Sequence, residues 1–289
     1  MGKYPIPPGV THVGGLDCQG YVVDPVSLDP ADVLEDGSPR PIMALLSGGA
    51  YGQYATCPKD HVMPVPTYLN KDQVCHAAGI PENWLTAYQL LKFVLEVKEN
   101  AGKTALVWAA ASGVGTSLLQ LCKMMGIKTI AIASTQEKLD ICKGLGAEHV
   151  LNYKDVSKEQ FAAKIMEFTN NKGADYLLDP VCAQNFEQNI ASLAMDAKWV
   201  VYGFLGGFQL NFPNSPDGAP SGLNLQLLFK KRISLLTTTL RNRPIDYKTE
   251  LMKSFSDRCN PAFESGELKL VIDEPIFSYS KIAEAMQKM

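Results

Sequence analysis

A glycine turn near the middle of the chain has the residue types and the spacing of a phosphate-binding loop. It covers residues 110–115 and lies between an apolar run over 104–110 and an amphipathic helix. In the G-x-G-x-x-G frame of dinucleotide-binding turns, Ala110 and Ser112 replace the first two glycines and Gly115 keeps the third. Free backbone N–H groups at such a helix N-terminus bind a diphosphate. A tight strand-to-helix turn without a nucleotide is the alternative.

The end of the second strand indicates which dinucleotide the turn would bind. Ser134 and Thr135 stand there, where enzymes that use NAD usually place an Asp or Glu for the ribose hydroxyls. The two hydroxyls and the ammonium of Lys138 can instead bind a 2′-phosphate, with Tyr153 nearby after the third strand, so NADPH is favoured over NADH. Ser134 and Glu137 also have the spacing of a capping box, and both interpretations can hold together.

The composition excludes several classes of protein. The 289 residues carry a net charge of -3 and no basic stripe of the kind that binds nucleic acid, and no apolar run is long enough to span a membrane. Seven cysteines without a Cys-x-x-Cys pair argue against a disulfide framework and a clustered zinc site. The four histidines are scattered and are interpreted as structural or surface residues. We therefore expect a soluble cytosolic protein that acts on small molecules and holds no metal.

Repeated strand and helix patterns fill the chain beyond residue 80. Apolar strands buried on both faces alternate with amphipathic helices, which predicts an α/β fold with a doubly wound parallel sheet of the Rossmann type. Residues 1–66 are rich in Gly and Pro and predict irregular antiparallel sheet, with β-like runs over 41–46 and 51–57. Later expectations are a helix over 185–195, a strand over 198–204, a strand over 233–240 and a short strand over 269–272.

Four segments of the chain carry a family resemblance as a set. They cover residues 80–91, 112–116, 199–207 and 227–232. Together they resemble the zeta-crystallin-type quinone oxidoreductases, a zinc-free branch of the medium-chain dehydrogenases/reductases, and the similarity runs over essentially the whole chain. The resemblance implies an incomplete, β-rich GroES-like catalytic domain joined to a Rossmann domain, with NADPH in the cleft. It also implies a homodimer through the edge of the Rossmann sheet.

The resemblance further implies a division of the chain into three segments. These are a partial GroES-like catalytic domain over 1–80, a Rossmann NADPH-binding domain over 81–240 and a return segment over 241–289. Relatives have further sequence at both ends, so the chain is expected to be truncated there. Zinc-dependent relatives carry a Gly-His-Glu motif where residues 15–17 read Gly-Leu-Asp, so no metal site is predicted. Relatives also end the fourth strand with a glycine pair, whereas residues 179–183 carry side chains where the cofactor passes.

The turn, the strand ends and the resemblance together give a set of expected site residues. The expected cofactor contacts are Thr86, Ala110, Ser112, Gly113, Val114, Gly115, Ser134, Thr135, Lys138, Tyr153, Phe204, Leu205, Leu240 and Arg241. Tyr4 is expected near the reacting nicotinamide ring as the catalytic side chain, with a packing tyrosine as the alternative.

The expected reaction is hydride transfer from C4 of the nicotinamide to a quinone or an activated enone. The oxyanion formed is stabilised by conjugation and takes a proton from water or a hydroxyl, so no catalytic triad is expected. Two other hypotheses stay open at this point. One is a truncated or inactive fragment with a structural or regulatory role, and the other is an unrelated Rossmann protein such as a methyltransferase.

Overall fold

The computed structural model describes residues 6–207 and 225–288. Tyr4, the predicted catalytic residue, lies outside the described residues. The strands are β1 Asp17–Gly20, β2 Ile42–Leu45, β3 Val62–Pro64, β4 Thr104–Val107, β5 Lys128–Ala133, β6 His149–Asn152, β7 Ala174–Asp179, β8 Leu193–Val201 and β9 Ser234–Thr237. The helices are α1 Pro81–Tyr88, α2 Gly113–Met124, α3 Gln136–Gly144, α4 Lys158–Phe168, α5 Phe186–Ser192, α6 Leu225–Lys231, α7 Ile245–Glu264 and α8 Ile282–Lys288.

Two sheets organise the described chain. The larger has six strands in the order β6-β5-β4-β7-β8-β9, and every neighbouring pair is parallel. The strand order reverses direction at β4, which pairs with β5 on one side and β7 on the other. This confirms the predicted doubly wound α/β sheet. The smaller sheet is antiparallel in the order β1-β2-β3 and corresponds to the predicted β-rich part.

Alternate residues of the parallel strands face two different cores. Leu106 of β4 and Trp199 of β8 lie in one cluster with Phe161 of α4. Their neighbours Val107 and Val200 lie in a second cluster, which α1, α2, α7 and β2 complete. Helices therefore cover both faces of the sheet, as parallel strands require.

The predicted helix over 185–195 is too long. α5 ends at Ser192, and Leu193 already begins β8. Leu193 and Ala194 are buried, as expected, but in a strand. A short apolar run is buried in either kind of element, so its pattern does not distinguish a buried helix end from a buried strand.

Two other strands predicted from the sequence are wrong. Residues 51–57, all described, form turns and irregular backbone instead of a strand. Residues 269–272 are also described and form no strand, and the backbone of Lys269 bonds to a side chain. Its N–H donates to Oε1 of Gln120 at 2.8 Å, and its carbonyl accepts from Nε2 of the same amide at 3.0 Å. The division of the chain into three segments stays a prediction.

Among the described helices, none combines the length and the apolar character that crossing a bilayer requires.

Candidate functional site

The turn between β4 and α2 is closed by short backbone contacts. Ala109 adopts a left-handed φ of 50°, and its carbonyl accepts from the amide of Ser112 at 2.9 Å. The Ser112 hydroxyl caps α2 by accepting from the amide of Gly115 at 3.1 Å. The N–H groups of Gly113 and Val114 belong to the first helical turn, where no partner exists within the helix. An anion at this helix end would meet these two donors.

Both glycines of the turn have close neighbours, which are backbone atoms at Gly115 and a side-chain amide at Gly113. A Cβ on Gly115 would lie 2.6 Å from the carbonyl carbon of Ala110, so only glycine lets α2 approach β4 this closely. A Cβ on Gly113 would lie 2.6 Å from Oδ1 of Asn83 on α1. The helix N-terminus is therefore held against both the strand and α1.

The turn after β5 differs from the predicted capping box. Thr135 caps α3 by accepting from the amide of Lys138 at 3.4 Å, so the predicted cap at Ser134 with Glu137 is wrong. The Ser134 side chain is half-buried, and Lys138 is exposed in the first turn of α3. All three residues follow the carboxyl end of β5, beside the glycine turn after β4.

A capping box does form one helix later. The Ser157 hydroxyl accepts from the amide of Gln160 at 3.3 Å, and the Gln160 side chain accepts from the amide of Ser157 at 2.8 Å. This capping box was not predicted from the sequence.

Tyr153 lies beside the turn that follows β4. Its amide donates to the carbonyl of Ala133 at 3.2 Å, and its ring centroid is 5.7 Å from that of Trp108. The partly exposed tyrosine ring therefore stands at the same edge of the sheet as the glycine turn.

The other expected contacts come from α1 and from the segments that follow β8 and β9. Thr86 is half-buried on α1, one turn after Glu82. Leu205 is exposed in the loop after β8, whereas the side chain of Leu240 is buried in the core, so only its backbone can face a ligand. Nε of Arg241 donates to the carbonyl of Ser47 at 2.9 Å and so joins the end of β9 to the antiparallel part. Phe204 is half-buried and packs against the core that contains Trp199.

A charged cluster that the sequence analysis missed lies between β1, α1 and α7. The amide of Glu82 donates to Oδ2 of Asp17 at 3.3 Å. Nζ of Lys248 donates to the carbonyl of Arg241 at 2.8 Å and lies 3.5 Å from Oγ of Ser47. Lys248 is only 4% exposed, which is unusual for a lysine.

Burial changes the titration of this cluster. It raises the pKa of Asp17 to about 6 and the pKa of Glu82 to about 7, and the charge of Asp17 adds to the second shift. Lys248 and Arg241 oppose the shift of Glu82. Burial lowers the pKa of Lys248, and Glu82 opposes that shift. The sequence does contain one signal for the cluster, because Lys248 falls on the helix face that carries the buried Leu251.

The described residues do not fit a zinc site. They contain no group of three or more His, Cys, Asp and Glu placed to hold a metal ion. Asp17 and Glu82 are instead accompanied by two cationic side chains, Lys248 and Arg241, which would repel a divalent ion.

Two relatives show the range of the sequence similarity. A human protein named quinone oxidoreductase is 27% identical over 288 residues, which cover 100% of this chain and 79% of that protein. A protein from Burkholderia named 2-haloacrylate reductase is 31% identical over 159 residues, which cover 55% of this chain and only 46% of that protein.

Solved structures give the same result for the fold. A mycobacterial protein in complex with NADPH is 25% identical, with a TM-score of 0.76, over 98% of this chain and 80% of that chain. A quinone oxidoreductase from Pseudomonas syringae is 25% identical, with a TM-score of 0.73, over 99% of this chain and 80% of that chain. Residues 113–257, about half of this chain, match the family described as zinc-binding dehydrogenase. The chain therefore belongs to the zinc-binding dehydrogenase family within the medium-chain dehydrogenases/reductases, where it is similar to the quinone oxidoreductases.

Proposed function

We propose that the protein binds NADPH along the carboxyl edge of the six-stranded sheet and uses it to reduce a quinone or an activated enone. The observation that carries the proposal is the turn between β4 and α2. There the backbone of Ala109 and Ala110 leaves no room for a Cβ on Gly115, and a helix N-terminus presents backbone N–H groups. The names of the human and Burkholderia relatives and the NADPH in the mycobacterial structure support the same chemistry.

The two halves of NADPH would lie on opposite sides of β4. The amides of Gly113 and Val114 hold the diphosphate. The 2′-phosphate meets Ser134, Thr135 and Lys138 after β5, on the side of the sheet where Tyr153 follows β6. The nicotinamide half then extends toward the loops after β7 and β8. The residues proposed along that half are Thr86, Phe204, Leu205, Leu240 and Arg241.

The acceptor would bind in a cavity of about 500 Å³ in the antiparallel part of the chain. Its wall includes Ser47, Gly48 and Tyr54, and Ser47 is the residue that Arg241 contacts. When bound, NADPH supplies a hydride from C4 of the nicotinamide. The side chains of the chain orient the acceptor and exclude water, and the product oxyanion takes its proton from water or a hydroxyl. Tyr4 stays the proposed residue near the reacting ring.

Steady-state oxidation of NADPH with a panel of quinones and enones tests this function. We expect turnover with NADPH and much slower turnover with NADH. A protein that binds NADPH tightly in a fluorescence titration but reduces no acceptor is a binding module, and one that binds no nicotinamide dinucleotide overturns the proposal. Thermal protection by a methyl donor and not by NADPH would indicate a methyltransferase.

A homodimer through the edge of the large sheet belongs to the same proposal. β9 is the last strand of that sheet, and its residues are mostly exposed. Phe229 on the neighbouring helix α6 is 84% exposed. Unpaired N–H and C=O groups on an edge strand pair readily with another chain, and exposed apolar side chains beside them favour such an interface.

A cytosolic location is proposed on the cysteines. All seven lie among the described residues and are unpaired. Unpaired cysteines are typical of a reducing compartment.

A further inference from the structure

Asp179, the last residue of β7, is a fully buried carboxyl group, and its four hydrogen-bond partners among the described residues are all donors. Oδ1 accepts from the amides of Val181 and Cys182 at 2.8 and 2.9 Å. Oδ2 accepts from Nδ2 of Asn189 and Nε1 of Trp199, each at 3.1 Å. A protonated carboxyl would need an acceptor that none of these partners offers, so the site is built for the carboxylate. Burial raises the pKa of Asp179, and the two amides and the indole N–H oppose that shift.

The carboxylate holds a turn in an unfavourable backbone conformation. Cys182 has a φ of 68° and a ψ of -112°, a region that residues with a side chain rarely adopt. Surrounding contacts must offset the free-energy cost of holding such a residue. Cys182 thus adopts a backbone conformation that glycine reaches more easily than any other residue. Asp179 binds the amide of this strained residue directly.

The turn over 180–182 contacts the loop after β8 and positions it. The amide of Leu205 donates to the carbonyl of Pro180, and that of Gly206 donates to the carbonyl of Val181, both at 2.9 Å. A Cβ on Gly203 would lie 3.0 Å from the carbonyl oxygen of Pro180. The loop after β8 therefore lies directly on the turn after β7, and a shift of one would move the other.

The same network reaches the turn after β4. Oδ1 of Asn189 accepts from Nε1 of Trp108 at 2.8 Å, and the Trp108 ring stacks on Phe161 with centroids 5.1 Å apart. Trp108 directly precedes Ala109, which closes the glycine turn. Asp179 is thus linked to the glycine turn through two intervening side chains, Asn189 and Trp108, whereas it binds the turn over 180–182 directly.

From these contacts we propose that Asp179 is a positioning residue for the nicotinamide half of NADPH. It fixes the turn over 180–182 and, through that turn, the loop over 203–207 against which this half lies. The inference rests on the proposed function. The adenosine half lies on the β5 side, at Ser134 and Lys138, and does not depend on these two loops. Asp179 should therefore act on one half of the cofactor and not on the other.

The test compares two ligands on the substitution Asp179→Asn by isothermal titration calorimetry. The asparagine side chain would place its NH2 group where one carboxylate oxygen now accepts two hydrogen bonds. Those two hydrogen bonds would be lost, because donors would then face donors. We expect the Kd of NADPH to rise about tenfold and that of adenosine 2′,5′-bisphosphate, which has no nicotinamide half, to change by less than about twofold.

A matched control is available on the same strand. Asp175→Asn makes the same chemical change at the amino end of β7, where Asp175 bonds to Nζ of Lys103 and the amide of Thr104. Both ligands should bind this variant as they bind the unchanged protein.

The outcomes separate the inference from the function on which it rests. Equal weakening of both ligands by Asp179→Asn, or no weakening of NADPH, overturns the inference. If that variant does not fold, Trp199→Phe removes one donor and keeps an aromatic ring, and about threefold weaker binding of NADPH alone is expected. If Trp199→Phe weakens the binding of both ligands equally, or leaves the binding of NADPH unchanged, the inference is again overturned. An unchanged protein that binds neither ligand shows instead that the proposed function is wrong.

Discussion

Gly115 faces the carbonyl oxygen of Ala109, which would lie 2.4 Å from a Cβ at this position. Real Cβ atoms do not approach an oxygen so closely. Because this oxygen belongs to the backbone, it cannot move away by a side-chain rotation. The approach of α2 to β4, and with it the anion-binding end of α2, depends on this absent methyl group.

Replacing Gly115 with alanine should therefore push the N-terminus of α2 away from β4. We expect the free energy of unfolding to fall by about 2 kcal/mol and NADPH binding to weaken about tenfold or more. Gly144→Ala is the control, because nothing lies within 4 Å of its Cβ position on α3. That variant should be up to about 1 kcal/mol more stable, as alanine favours a helix. Thermal melting measures the stability of the two variants, and titration measures their affinity for NADPH. The explanation is wrong if the two variants have the same stability and the same affinity.

Lys138 should distinguish NADPH from NADH. The substitution Lys138→Ala removes an exposed ammonium beside the proposed 2′-phosphate site, so the KM for NADPH should rise about tenfold while that for NADH stays the same. Lys143→Ala removes another exposed lysine, from the last turn of the same helix, and should change neither value. Equal effects of Lys138→Ala on both cofactors would place the 2′-phosphate elsewhere.

Stability should fall as pH rises through the neutral range. The folded-state pKa values of Asp17 and Glu82, about 6 and 7, lie above their ordinary values of 3.8 and 4.5, so the folded state binds more protons than the unfolded state. The contribution of the two groups is present in full below about pH 4 and is lost as pH rises through the folded-state values. Buffered urea denaturation between pH 5 and pH 8, a range chosen to bracket these values, should show the decline.

Glu82→Gln should remove part of that decline, because an amide does not ionise. We expect the variant to be more stable than the unchanged protein at pH 8 by on the order of 2 kcal/mol, with little difference near pH 4. The exposed Glu267→Gln should show no such dependence. A large loss of stability at pH 8 would mean that the carboxylate of Glu82 is needed as a partner for Lys248.

Phe229→Glu should disrupt the proposed dimer. A carboxylate on the exposed face of α6, beside the edge strand β9, would be repelled by its copy across an interface with twofold symmetry. Light scattering should give a dimer for the unchanged protein and a monomer for the variant. Val26→Glu places the same charge on another exposed apolar residue, in the antiparallel part, and should stay dimeric. An unchanged mass for Phe229→Glu would exclude this interface.

Local patterns in the sequence predict the parallel sheet well. Residues 174–179 form a strand with the predicted bounds, because its central residues Tyr176, Leu177 and Leu178 are buried in the sheet and indicate a strand from their sequence. The end of α5 and the segment at Lys269 could not be predicted in the same way. Leu193 is buried in either kind of element, and Lys269 finds its partner in Gln120, 149 residues away.

The polar parts of the site could be predicted only where neighbours in sequence form them. The glycine turn is such a case, since Ser112 and Gly115 contact each other within one helical turn. The carboxylate of Asp179 meets Trp199 from a different strand, 20 residues along the chain, and no local pattern indicates that contact. Glu82 and Asp17 are separated by 65 residues and meet only through packing of α1 on the small sheet.

Two hydrogen bonds between the Gln120 side chain and the Lys269 backbone link α2 to the segment that follows α7. Gln120 lies on α2, the helix whose first turn faces the proposed diphosphate. We expect deuterium uptake at the amide of Lys269 to be slow while α2 keeps its register, because the Gln120 side chain is the hydrogen-bond acceptor of that amide. The exchange rate of a single distant amide thus reports how firmly the nucleotide-facing helix is held.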